Sequence, residues 1–114
     1  KEKSDLDIPL DDGTGDTQYL TLLKETLPRL IASVQPDFAF YLSGVDVLAT
    51  DAFGKLKLSR QACLERDKFV FKIVCDNKLP CVVAMGGGYS PNIVDIVTAH
   101  VNTFKAAFEA IEGV

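Results

Sequence analysis

The sequence predicts an α/β fold on three observations. Two continuous apolar runs, at residues 38–42 and 81–85, read as strands, and each stops at glycine. Segments with helical spacing of apolar residues precede, separate and follow them. The order helix, strand, helix, strand, helix suits a parallel pair joined by a right-handed crossover.

The first 16 residues read as loop, because Pro9 disfavours a regular element and Asp11, Asp12, Gly13, Gly15 and Asp16 are turn formers. A helix is predicted over 17–34, with Asp16 or Thr17 as N-cap. Leu20, Leu23, Leu27, Leu30, Ile31 and Val34 give it one apolar stripe. Pro28 should kink or interrupt that helix, since it removes a backbone donor and its ring crowds the preceding turn.

Phe38, Ala39, Phe40, Tyr41 and Leu42 form the first strand, expected to be covered on both faces because its apolar residues do not alternate. Residues 45–58 read as loop. Ser59 is the N-cap candidate for a helix to about Asp76, with Ala62, Phe69, Val70, Ile73 and Val74 on its buried face. Pro80 introduces the second strand, which ends in Gly86-Gly87-Gly88-Tyr89. Ser90 and Pro91 suit the N-cap and first position of a last helix reaching about Ile111. Its apolar stripe is Ile93, Val97, Val101, Phe104, Phe108 and Ile111. Two strands cannot cover three helices properly, so partner strands are expected elsewhere in a longer chain. The polar start without an initiator Met agrees with that expectation.

Composition narrows the function classes. The chain has 114 residues, 47% hydrophobic and 25% charged, which is the profile of a globular domain and not of a disordered segment. A net charge of −4, with twelve scattered Lys and Arg, argues against direct nucleic-acid binding. No apolar run approaches the length of a membrane span, and nothing reads as a signal peptide. A cytoplasmic location is the default expectation. Cys63, Cys75 and Cys81 form no paired framework and are expected to be reduced structural residues.

Ligands of parallel sheets bind at the carboxyl ends of the strands. There the first strand runs into Ser43-Gly44-Val45-Asp46 and the second into the triple glycine and Tyr89. A carboxylate at a strand end can ligate a divalent metal, and a phenol on glycine-rich backbone can donate to an oxyanion. On the residues alone, an Asp after a strand more often caps a loop or turn than binds a metal. The residues also allow the segment 86–90 to hold a phosphate-containing ligand at a helix N-terminus, as a non-catalytic binding module would. A dinucleotide fingerprint and a P-loop are both excluded by spacing.

Taken in order, Ile8-Pro9-Leu10 with Gly13 and Asp16, Pro36-Asp37, Ser43-Gly44-Val45-Asp46, Asp51 with Gly54-Lys55-Leu56, Leu58-Ser59 and Met85-Gly86-Gly87-Gly88-Tyr89-Ser90 resemble the C-terminal part of zinc-dependent histone deacetylases and their bacterial, class IV-like relatives. The resemblance covers residues 8–107. It implies a three-layer, arginase/deacetylase-like parallel sheet flanked by helices, of which this chain is a C-terminal portion. It implies that Asp46 is one of three ligands to a catalytic Zn2+. Tyr89 would polarise the amide carbonyl and steady the oxyanion, and Gly87 and Gly88 would line the acyl-lysine channel. The implied substrate is acetyl-lysine or another acylated amine, acetylpolyamine included. The family's Asp-x-His element and His pair have no counterpart here, and Thr50 stands where many relatives carry glycine. His100, the only histidine, falls on the apolar stripe of the last helix and is expected to be a packing residue. The isolated chain is therefore expected to be inactive, to bind zinc poorly, and to self-associate through surface left uncovered.

Overall fold

The computed structural model describes residues 4–45, 47–49, 56–87 and 93–112. Its elements follow the predicted order: α1 (Asp16–Val34), β1 (Ala39–Gly44), α2 (Arg60–Asp76), β2 (Cys81–Gly86) and α3 (Ile93–Glu112). The strands are parallel and in step, with Ala39 opposite Cys81 and Gly44 opposite Gly86. The α/β class is thus borne out in a small parallel sheet with helices.

Local chemistry explains the boundaries. Ser59 caps α2, its hydroxyl accepting from the Ala62 amide. Both oxygens of Asp16 take up Ser59, one from its amide at 2.8 Å and one from its hydroxyl at 2.7 Å. The first turn of α1 is thereby tied to the first turn of α2. Gly13, at φ +82°, lets the preceding loop turn, and the buried Thr14 carbonyl accepts from Lys57. After α1, Gln35 closes the helix in the left-handed region with its amide on the Ile31 carbonyl.

Two expectations are corrected, and a third is answered in part. Helix α1 is not interrupted at Pro28, where the proline leaves a single missing donor toward the carbonyl of Lys24. The strands, expected to be covered on both faces, are covered on one by the described residues. Helices α2 and α3 pack on the face carrying Ala39, Tyr41, Cys81 and Val83, while Phe40 and Leu42 on the other face are 83% and 71% exposed. The α3 stripe also faces away from the core. Phe104, Phe108 and Ile111 are exposed, and the small residues Ala99, Thr103 and Ala106 face inward, because close approach of two helices requires short side chains there.

The core is split in two along the helices. One cluster holds Val45, Leu48, Cys63 and Ala99; the other holds Phe71, Val74, Leu79 and Ala106. Of the residues expected on the buried face of α2, Ala62, Val70 and Val74 are buried, while Phe69 and Ile73 are half-buried. All three cysteines are free: Cys63 is buried, Cys75 exposed and Cys81 between the two. No helix among the described residues is long and apolar enough to cross a membrane.

Candidate functional site

The ladder continues one bond beyond the strands, with the Val45 amide donating to the Gly86 carbonyl at 2.9 Å. Both chain segments therefore leave the sheet at the same edge, as the sequence suggested. Gly87 sits there, exposed, at φ +73°, in the left-handed region where a side chain would be strained. Asp46, Gly88 and Tyr89 lie outside the described residues, as do Thr50, Asp51, Gly54, Lys55, Ser90 and Pro91.

The backbone beyond Asp46 is anchored as well. Leu48 and Leu58 form a parallel bridge, the Ala49 amide donates to the Leu58 carbonyl, and the Leu58 amide donates to the Val47 carbonyl. Leu48 and Leu58 are both buried. These bonds close the neck of the segment that leaves β1 and returns to α2.

Between the two apolar clusters lies a buried polar network that the sequence pattern did not lead one to expect. Asp67 is fully buried and Arg66 nearly so. Arg66 donates through Nη1 to the Gly44 carbonyl at 2.6 Å, through Nη2 to Ser43 Oγ at 3.1 Å, and through Nε to Asp67 Oδ1 at 3.0 Å. Its guanidinium also lies 5.8 Å from the Tyr41 ring centroid. Asp67 Oδ1 accepts from the Tyr41 hydroxyl and, at 3.3 Å, from Ser43; Oδ2 accepts from Thr103. Residues of β1, α2 and α3 are joined in one cluster immediately upstream of Asp46.

Burial dominates the electrostatics of this cluster. It pushes the Tyr41 hydroxyl well above its ordinary range; the Arg66 charge opposes the shift, and Asp67 adds to it. Burial likewise raises the Cys63 thiol, again against Arg66. Both groups are neutral at ordinary pH.

A single carboxylate such as that of Asp46 is one hard donor, whereas a catalytic zinc site takes three protein ligands. Among the described residues no group of three or more His, Cys, Asp or Glu could hold a metal. His100 is half-buried on α3, as a packing residue is, and its Nδ1 is enclosed without a hydrogen-bond partner among the described residues.

Comparison with known proteins decides the family. Residues 1–104 match the family model of the histone deacetylase domain. The chain belongs to the histone deacetylase family. An uncharacterized protein of Picosynechococcus is 36% identical over 94% of this chain and 36% of its own length. Histone deacetylase 2 of Arabidopsis thaliana is 32% identical over 75% of this chain and 22% of its own. Acetoin utilization protein AcuC of Staphylococcus xylosus is 29% identical over 81% of this chain and 24% of its own. This histone deacetylase-family chain therefore spans little more than a third, or less, of the curated relatives it matches.

Proposed function

We propose that this chain is the C-terminal segment of a zinc-dependent deacetylase domain, hydrolysing the amide of acetyl-lysine or a related acylated amine. The observation that carries the reading is the family match across residues 1–104. The in-step ending of β1 and β2 supports it, because the residues leading to Asp46 and to the glycine turn depart from one sheet edge. The whole domain would then have the three-layer arginase/deacetylase-like architecture, with its further strands outside these 114 residues.

In this reading Asp46 supplies one carboxylate to Zn2+, and the other two protein ligands and the general base come from outside the chain. When bound, zinc acts as a Lewis acid toward the carbonyl and lowers the pKa of a water. Tyr89 donates its phenolic proton in a hydrogen bond to the oxygen that becomes an oxyanion. Gly87 and Gly88, lacking Cβ, let backbone approach the acyl chain closely. The chain by itself is inactive and a poor zinc ligand. A cytoplasmic location belongs to the same proposal. No observation on the described residues favours the phosphate-holding module.

The test is hydrolysis of an acetyl-lysine peptide by the full-length protein with zinc. Wild type is expected to turn over, Asp46→Ala to lose both activity and tight zinc binding, and Tyr89→Phe to lose about 100-fold or more in kcat while retaining zinc. Activity that survives Asp46→Ala would remove the metal assignment. A zinc-loaded wild type that leaves every acylated amine intact would remove the enzyme reading.

A further inference from the structure

We infer that the outer edge of β1 takes up a further parallel strand of the same protein, seated in the groove beneath α1. The inference rests on the reading of this chain as part of a larger domain and uses none of that domain's chemistry.

The groove lies between α1 and the edge of β1 that β2 does not occupy. Leu23, Leu27, Leu30 and Ile31 of α1 form one wall, and Val70 and Val74 of α2 form the back. Ala39, Phe40 and Tyr41 form the floor. Consecutive strand residues point to opposite faces of a sheet, so all three meet one groove only where it wraps the edge of the strand. Helix α1 packs beside α2, yet none of its residues is buried. Its leucine stripe overhangs a position next to β1 where, among the described residues, no strand lies.

The main chain along this edge has an open hydrogen-bonding side. The amides of Ala39 and Val45 donate to the carbonyls of Pro80 and Gly86, toward β2. Alternate residues of a strand turn their N–H and C=O to the same side, so Tyr41 and Ser43 face β2 and Phe40 and Leu42 face away from it. The Gly44 carbonyl, next on the outer side, already accepts from Arg66, so the open stretch ends at Leu42.

These features select the occupant. The groove has a volume of about 550 Å3, which also suits a small apolar ligand. Such a ligand would leave the main-chain groups of Phe40 and Leu42 without partners, which is costly once they leave water. An extended peptide answers them. Its side chains alternate between the α1 leucines and the open face that carries Phe40 and Leu42, so it is apolar on both sides, as strands inside parallel sheets are. Parallel orientation follows the β1–β2 pair, since sheets of one kind are favoured. A second copy related by a twofold axis fits less well. It would bring α1 of each copy onto the strand that α2 of the other already covers. The stretch shared with the Picosynechococcus protein is 36% of that protein's length, so a protein of that kind has ample further chain to supply the strand.

The test is amide hydrogen exchange in the full-length protein, read residue by residue by NMR. The Phe40 and Leu42 amides are expected to exchange as slowly as those of Tyr41 and Ser43, to within about 10-fold, because all four would lie inside the sheet. Exchange about 100-fold or more faster than at Tyr41, as from an open edge, would overturn the inference. Protection of Phe40 and Leu42 that vanishes on dilution would assign the edge to a second copy and would overturn it too. Turnover of acetyl-lysine peptide bears on the deacetylase reading alone. An active enzyme with fast edge amides keeps that reading and loses the strand, and an inactive protein with slow edge amides does the reverse.

Discussion

At the scale of single residues, Asp67 shows how a carboxylate without solvent contact is accommodated. Its two oxygens accept from Tyr41, Ser43, Arg66 and Thr103, so its lone pairs are met on three elements. Removing one donor leaves the carboxylate short of a partner, so Tyr41→Phe should cost about 2 kcal/mol near pH 8, measured by urea unfolding. The same hydroxyl makes stability depend on pH. Its folded pKa is raised above the unfolded value of 10.0, so its contribution is complete below pH 10. Above that the unfolded chain ionises first and stability falls. Between pH 8 and 11 the wild type should therefore lose more stability than Tyr41→Phe; equal losses would mean that Tyr41 is not held neutral. This cluster was hard to read from sequence because Arg66 and Asp67 look like solvent-facing charges. The signal that could have found them is positional. Residues 62, 63, 66, 67, 70, 71 and 74 form one unbroken helical stripe, all buried, with a charged pair at its centre.

At the scale of elements, the order and type of all five were legible, and so was the cap of α2. Ser59 accepts from the Ala62 amide and is itself held by Asp16, so it joins two helix starts. Ser59→Ala should destabilise the protein by about 1 kcal/mol, and Ser59→Thr should recover most of that. A thermal midpoint unmoved by Ser59→Ala would show that the α1–α2 tie carries no stability. What periodicity could not supply is the direction in which a stripe faces. In α3 the large residues Val97, Val101, Phe104 and Phe108 mark one side clearly, yet α2 meets the side with Ala99, Thr103 and Ala106. Amphipathic spacing identifies an apolar face, and packing distance decides which face a neighbouring helix takes. Pro28 is a similar case, since loss of one backbone donor in a helix of 19 residues does not end it.

At the scale of the whole molecule, the uncovered surfaces set the expected behaviour of the isolated chain. The open face of the sheet presents Phe40, Leu42 and Val82, and α3 presents Ile93, Phe104, Phe108 and Ile111. The sheet among the described residues has two parallel strands, each of them an edge, and strand edges are templates for further pairing. Parallel sheets are ordinarily covered on both faces, and apolar patches of this kind bind something. In the proposed whole domain that something is the rest of the sheet and its helices. Deprived of it, the 114-residue chain should bury these faces against copies of itself. Light scattering coupled to size exclusion should give a mass above the monomer value of 12.4 kDa that rises with concentration. Two lysines on the open sheet face, Phe40→Lys with Leu42→Lys, should lower it, because a charge is costly to bury in an apolar contact. The same pair in the full-length protein should abolish folding instead, since that face would be core there. A chain that stays monomeric at every concentration would mean that these faces are tolerated in water, and a full-length protein indifferent to the two lysines would mean that they are not covered at all.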